Sequence, residues 1–365
     1  VRQTAVPRGG ARPGGRRQTD GELPGGGRPL TDVASRRMVS CKRLVRDEWH
    51  QAFFEVMAGR ATNIKKSALL VALRMEGETA DEITGAAMAM RERVTPLTVD
   101  RDRIIDTCGT GGDGRGTFNV STVAAIVAAG AGASVAKHGN RAVSSSCGSA
   151  DVLAALGVNI DLDAARMSDV LRRTGISFLF APKLHPAMGA VAAVRRELGV
   201  RTIFNVLGPL TNPAFARRQV LGVYSLHLVD LLAQVLLALG ADHAMVVHSR
   251  DGLDEISIFA PTHVCEVRDG ELRSYELTPE EIGIERGPLD AISGGDAHEN
   301  ACIAREILAG GNGARMEIVA ANAGAALYVS GAAETIRDGV AMAREAIANG
   351  AAMAKLQGLV AVTNE

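Results

Sequence analysis

Asp106-Thr-Cys-Gly-Thr-Gly-Gly-Asp-Gly-Arg-Gly-Thr-Phe-Asn-Val-Ser-Thr122 follows a short apolar segment ending at Ile105 and runs into an Ala/Val-rich stretch. The order reads as strand, anion-binding loop, helix. Glycines let the backbone approach a ligand closely and adopt φ > 0, and a helix opening near Asn119-Val-Ser-Thr122 offers free N–H groups and a positive dipole end to phosphate. Gly109, Gly111 and Gly114 also satisfy G-x-G-x-x-G. The dinucleotide fingerprint, however, expects an acidic residue at the end of the next strand for the ribose hydroxyls. Here that strand, 133–136, ends in Lys137-His138, which suits phosphate. A Walker A loop is excluded because no G-K-[ST] stands at the required offset. The glycine loop is read as the seat of a phosphorylated substrate.

Working outward, the chain changes character on either side of this loop. Between residues 46 and 94 the apolar spacing is helical, as in Trp49, Phe53, Val56 and Met57, then Leu69, Leu70 and Leu73, then Ile83, Ala87 and Met90. The joints at 59–62 and 77–81 combine a glycine with a following N-cap residue. From Ile104 short β-like runs (104–105, 134–136, 176–180, 220–223, 244–247) alternate with helices, the pattern of a mainly parallel sheet wrapped by helices. The fold class expected is α/β: a small N-terminal helical domain at 42–102 and a larger α/β domain at 103–365. A helical insertion at 186–205, ending in Arg195-Arg-Glu-Leu-Gly199, is expected to pack on the small domain. In such a sheet the loops leaving the C-terminal strand ends lie along one edge, where ligands bind.

Composition narrows the function classes. The 365 residues are 47% hydrophobic but only 3% aromatic, with formal net charge −1. That argues against a nucleic-acid platform, which needs aromatics and positive charge. No apolar run reaches the roughly 18 residues of a membrane span, so a membrane role is not expected. The five cysteines, at 41, 108, 147, 265 and 302, form no C-x-x-C pair. They indicate neither zinc nor a disulfide framework and fit a reducing cytoplasm. Residues 1–30 hold eight glycines and six arginines with almost no large apolar side chain. The extension 1–41 is therefore expected to be disordered, or to precede a start at Met38.

Three loops fall on the ligand edge: the glycine loop, Lys137-His-Gly-Asn-Arg-Ala-Val-Ser-Ser-Ser-Cys-Gly-Ser149, and Arg250-Asp-Gly-Leu-Asp-Glu-Ile-Ser257. Asp254-Glu255 alone would read as a solvated loop, but beside phosphate loops it suits Mg²⁺, which takes carboxylates, hydroxyl, water and phosphate oxygens. Ser121 could supply the hydroxyl. Lys137 and Arg141 would neutralise the remaining phosphate charge. His138 and His185 qualify as walls or donors for a second substrate, and Arg195 as the partner of a carboxylate. No Ser-His-Asp arrangement can be placed. The edge looks built for a Mg-pyrophosphate group and a second, anionic molecule.

These residues sit in motifs that resemble the anthranilate phosphoribosyltransferases: Gly109-Thr-Gly-Gly-Asp113, Asn119-Val-Ser-Thr122, Lys137-His-Gly-Asn-Arg141, Gly148-Ser-Ala-Asp151, His185-Pro-Ala-Met188, Arg195-Arg-Glu-Leu-Gly199, Gly208-Pro-Leu210 and Leu253-Asp-Glu255. The resemblance covers about residue 46 to the C-terminus. It implies a nucleoside phosphorylase-like fold, a homodimer through the small domains, and transfer of a phosphoribosyl group to anthranilate in tryptophan biosynthesis. It further implies phosphoribosyl pyrophosphate on Gly109, Gly112, Asp113, Thr117, Asn119, Val120, Ser121, Thr122, Lys137, His138, Gly139, Asn140, Arg141, Ala142, Val143, Ser144, Ser145 and Ser149. Anthranilate would meet Gly109, His138, Asn140, His185, Arg195 and Pro209. Mg²⁺, as two ions per subunit, would sit at Ser121, Asp254 and Glu255. No residue reads as a dedicated general base, and an arylamine is nucleophilic without one. The sequence departs from the family at Gly189, usually larger, at Cys147, usually serine, and in the N-terminal extension. The alternatives are a pyrimidine nucleoside phosphorylase, an NAD-linked oxidoreductase and a catalytically silent phosphate-binding protein, none of which needs a metal-binding carboxylate pair for pyrophosphate.

Overall fold

Thr62 and Thr79 begin two of the helices described at 46–91 by capping them. Thr62 accepts from Lys65 N, and Thr79 forms a reciprocal box with Glu82, so orphan first-turn donors are satisfied. In this computed structural model, which describes residues 31, 44–100, 104–142, 147–286 and 289–365, the helices are Arg46–Met57, Asn63–Glu76 and Ala80–Arg91. The first and third approach so closely at Gly85 that a Cβ there would lie 2.7 Å from Arg46 O and 2.8 Å from the Trp49 Cβ. Trp49 and Phe53 are fully buried in the seam. The Gly189–Leu198 helix packs on Asn63–Glu76, where buried Lys66 donates from Nζ to Ala190 O at 2.5 Å. Phe204 meets Phe53 edge-on at 6.1 Å.

The expectation of disorder over residues 1–41 falls outside the described residues except at Thr31. Thr31 is 3% exposed, and its N and Oγ1 both donate to Glu55 Oε2 on the first helix. A carboxylate on the bundle surface thus gives this point of the extension a partner that composition does not reveal.

Seven strands form one sheet in the order β3-β2-β1-β4-β5-β6-β7. They are β1 Ile104–Gly109, β2 Ser134–Gly139, β3 Ile176–Phe180, β4 Arg218–Gly222, β5 His243–Ser249, β6 Thr262–Arg268 and β7 Glu271–Leu277. Pairings from β3 to β5 are parallel, and β6 and β7 add an antiparallel edge. Strands β1 and β2 run further than the apolar pattern suggests. Lys137 and His138 therefore lie inside β2, opposite Phe178 and Leu179 of β3, and not in a turn after it. The chain steps from β1 outward to β3 and then returns to the other side of β1 as β4. This makes the C-terminal ends of β1 and β4 the topological switch point, where open α/β sheets bind ligands. One apolar core, built on the Val120–Gly130, Ala314–Ser330 and Ala351–Thr363 helices, covers one face. The other face shares its core with the three-helix domain through the His227–Ala238 helix.

Candidate active site

The carboxylate loop after β5 is folded across the switch point. At Gly222, the last residue of β4, a Cβ would stand 1.7 Å from Asp254 O, and at Gly109, which ends β1, it would stand 3.2 Å from Asp254 Oδ2. Glycine at both strand ends lets the loop lie flat over them. The loop is pinned from below by Asn322 of the buried Ala314–Ser330 helix, whose Oδ1 accepts from Ile256 N at 2.9 Å while Nδ2 donates to Ile256 O at 3.0 Å. Glu255 Oε1 accepts from Ser121 N at 3.1 Å, at the start of the Val120–Gly130 helix. Asp254 thus faces the glycine loop and Glu255 the helix that follows it. Burial, followed by repulsion from Asp113, pushes the Asp254 carboxyl up to about 7, and burial followed by the charge of Asp254 pushes Glu255 up to about 8.

Lys137 completes the cluster. Its buried Nζ donates to Thr107 O and, at 3.3 Å, to Ser121 Oγ. Burial lowers its pKa, and the charges of Asp106, Cys108 and Glu255 oppose that shift. Asp106 is fully buried and accepts from His138 N at 3.1 Å; burial raises its carboxyl to about 6.

Other residues expected on the phosphate loops also make bonds within the loops. Asp113 Oδ1 accepts from Arg115 N at 3.1 Å, and Thr117 forms a β-bridge with Ser293. Val120 and Thr122 are buried in the first helical turn. Gly139 lies so close to Ser149 that a Cβ would stand 2.2 Å from the Ser149 Oγ, which donates to Asn140 O at 3.2 Å. Asn140 Oδ1 accepts from Arg141 N at 2.8 Å. The Arg141 guanidinium, expected to neutralise phosphate, is paired with Asp151 at 2.8 Å, and Asp151 also accepts from Ala142 N and Gly148 N. Arg141 thus comes with its own counter-ion, which sequence spacing could not show. Val143, Ser144 and Ser145 lie outside the described residues.

Across the site stand two facing histidines. His138 Nδ1 donates to Gly208 O at 3.1 Å, so its Nε2 carries the lone pair and accepts from His185 Nε2–H at 3.0 Å. These tautomers follow from the hydrogen-bond network. Burial, then the neighbouring His185, lowers His138 to about 3, and burial lowers His185 to about 4. Both are neutral near pH 7. The His185 Nδ1 is buried without a partner. Pro209 is buried in the turn that holds His138, and its carbonyl accepts from Gln219 Nε2 at 2.6 Å. Arg195 is half-buried over the Phe204 ring, 5.6 Å from its centroid, and among the described residues no carboxylate pairs with it. Next to this wall, a Cβ on Gly189 would meet nothing within 4 Å.

Arg201 is the residue that sequence reasoning misses. Its Nη2 donates to Gly112 O at 2.6 Å while its guanidinium stacks 4.0 Å from the Tyr224 ring centroid, tying the insertion to the glycine loop. Its only sequence signal is an arginine within the motif-rich stretch after Arg195, which no spacing rule separates from a surface cation.

Residues 101–353 match the family model described as "Glycosyl transferase family, a/b domain", and residues 34–94 match "Glycosyl transferase family, helical bundle domain". An anthranilate phosphoribosyltransferase of Anaeromyxobacter sp. (strain K) is 56% identical over 92% of this chain and 99% of its own length. The crystal structure of the anthranilate phosphoribosyltransferase from Thermus thermophilus is 45% identical with TM-score 0.85, covering 91% of this chain and 99% of that one. The Saccharomyces cerevisiae enzyme in complex with PRPP and Mg is 28% identical with TM-score 0.84, covering 93% and 99%. The fold, the carboxylate loop over the switch point and this likeness along nearly the whole length agree: the chain belongs to the anthranilate phosphoribosyltransferase family.

Proposed function

We propose that the chain transfers the 5-phosphoribosyl group from phosphoribosyl pyrophosphate to the amino group of anthranilate, giving N-(5-phosphoribosyl)anthranilate and pyrophosphate in tryptophan biosynthesis. The observation that carries this reading is the convergence of Asp254, Glu255, Ser121 and Lys137 over the ends of β1 and β4. The S. cerevisiae relative's complexes with PRPP and Mg and with 4-fluoroanthranilate support it.

The residues fit Mg²⁺. Asp254 and Glu255 are carboxyls whose charge is disfavoured by burial and by neighbouring carboxyls, the environment a divalent cation relieves. With Ser121 they would hold the metal, leaving positions for phosphate oxygens and water. Because Asp254 faces the glycine loop and Glu255 the Ser121 helix, we assign two ions per subunit. Bound Mg²⁺ would neutralise pyrophosphate charge as the leaving group departs.

In the transfer, the C1–O bond breaks and its electron pair leaves with pyrophosphate. The anthranilate nitrogen forms the new bond to C1 and gives up one proton to solvent water. Lys137 keeps a donor for the leaving group, and the Val120–Gly130 helix directs its dipole there. The neutral histidine pair forms a wall for the aromatic ring, and the unpartnered His185 Nδ1 accepts from the substrate's N–H and orients it. Arg195 holds the carboxylate. Positioning and fixed charge supply most of the rate, with no dedicated base. We place the enzyme in the cytoplasm as a homodimer. In support, no helix of the described residues is long and apolar enough to cross a membrane, and Ile64 and Met75 lie 82% exposed on one face of the Asn63–Glu76 helix.

The test is to incubate purified protein with both substrates and Mg²⁺ and follow anthranilate fluorescence. Loss of signal with release of pyrophosphate is expected, and an unchanged signal overturns the assignment.

A further inference from the structure

A polar cluster beside the phosphate loops contains a buried amide, Asn300, that the transfer chemistry does not use. Residues 292–295 run antiparallel to the second half of the glycine loop. Thr117 bridges Ser293, Gly294 N donates to Gly116 O at 2.9 Å, and Phe118 N donates to Ile292 O at 3.3 Å. A Cβ on Gly294 would stand 2.5 Å from Phe118 N, so glycine is what lets the two segments close. The same segment leads into the Ala297–Leu308 helix, whose Asn300 is 2% exposed.

Asn300 Oδ1 accepts from Gly295 N at 2.8 Å, and its Nδ2 donates to Asn119 Oδ1 at 3.1 Å. Asn119 Nδ2 in turn donates to Cys147 O at 3.1 Å, one residue before Gly148 caps the helix of the second phosphate loop. One run of bonds therefore joins the 292–295 segment, the start of the Val120–Gly130 helix and the Cys147-Gly148 turn. Asn300 is not needed to cap its own helix, because Asp296 accepts from His298 N and Glu299 N while Glu299 closes the box on Asp296 N. Nor does Asn119 cap its helix with its side chain. Amides engaged at both ends, Asn300 buried and Asn119 half-buried, hold one orientation, so this pair sets the separation of the glycine loop from the Cys147-Gly148 turn.

We propose that Asn300 is a positioning residue for phosphoribosyl pyrophosphate: acting through Asn119, it holds the glycine loop and the Cys147-Gly148 turn before the Ser149–Ala155 helix at the spacing that grips the donor. This rests on the reading of those loops as the donor's seat. The experiment compares Michaelis constants of wild type, Asn300→Ala, Asn300→Asp, Asn119→Ala and the Asn119→Ala/Asn300→Ala double variant, with folding checked by circular dichroism. The Asp variant keeps the volume and the bond from Gly295 N but loses both Nδ2 bonds, to Asn119 Oδ1 and, at 3.3 Å, to Gly295 O. Both Asn300 variants lose the bond to Asn119 and are expected to raise the donor's KM about tenfold, the worth of that one contact between the loops. Anthranilate's KM should stay within about twofold, and the double variant should be no worse than Asn119→Ala alone. Turnover by wild type with a donor KM unchanged in Asn300→Asp, with both constants rising together, or with additive effects in the double variant overturns the role of Asn300. Absence of turnover in wild type itself would instead remove the reading beneath it.

Discussion

Arg195 shows how much a single side chain can be asked to do. Its guanidinium is half-buried, lies over Phe204 and has no carboxylate partner among the described residues. An acceptor carboxylate would supply one in planar register. Arg195→Ala is expected to raise anthranilate's KM by the worth of a charged hydrogen bond, about 1.5–3 kcal/mol, and to leave the donor's KM nearly unchanged. Steady-state kinetics with each substrate varied in turn would show it. For Asp254→Asn with Glu255→Gln, the expected outcome is a folded protein with little activity and a metal-free melting temperature equal to or above that of wild type, because burial disfavours both charges. Near-normal turnover at limiting Mg²⁺ would contradict it. The histidine pair makes a pH prediction. Both folded pKa values, about 3 and about 4, lie below the unfolded value near 6.5, so between these limits the unfolded chain binds more protons and stability falls as pH falls. Asp254 and Glu255 act in the opposite sense over much of this window, so the effect is read as a difference. His185→Asn should lower the rise of stability with pH, relative to wild type, by about 1 kcal/mol per pH unit between about pH 6 and 4.5, measured by urea unfolding.

At the level of elements, the site depends on how closely the carboxylate loop can lie on the strand ends. Gly222→Ala places a Cβ against backbone, 1.7 Å from Asp254 O, so the loop must lift. We expect activity to fall at least about a hundredfold while the circular dichroism spectrum stays native. A metal titration would show weaker activation, since a shift of about 1 Å in a positioned group is enough for such a loss. This dependence is only half legible in the sequence. The glycine loop announces itself through composition, and so do the helix starts at Thr62 and Thr79. The β6–β7 hairpin escapes the apolar pattern although its turn signal is present. Asp269-Gly270, with φ of 53° and 82°, is the two-residue turn that favours this dipeptide, linking Arg268 to Glu271. The flanking strands lack strong alternation, because β7 is mostly exposed and carries charge. Arg141 is legible as a cation but not as the partner of Asp151, because the fold brings that carboxylate back across the loop.

For the whole molecule, the proposed homodimer makes the remaining prediction. Ile64 and Met75, three turns apart on the Asn63–Glu76 helix, are each 82% exposed, although that helix buries Leu69, Leu70 and Leu73 on its other side. Ile64→Glu with Met75→Glu should shift the sedimentation coefficient from dimer to monomer and leave the fold intact. A wild-type protein that already sediments as a monomer would refute the assembly. The helical domain is also joined to the α/β domain, through the shared core around Phe204 and through Arg201, which reaches Gly112 of the glycine loop.

By itself the sequence determined what short-range chemistry encodes: a helical unit, a parallel α/β unit, glycine loops that can hold phosphate, and a carboxylate pair of the right type. Those depend on neighbours a few residues apart, where periodicity, capping and glycine content act directly. Only the tertiary structure decided that Asp254 lies over Gly109 and Gly222, that His138 and His185 share one proton between their facing Nε2 atoms, and that Asn300 holds Asn119. Each of these joins residues from separate elements. Their distance is set by the strand order and by how closely the cores pack, neither of which any local stretch of the chain specifies.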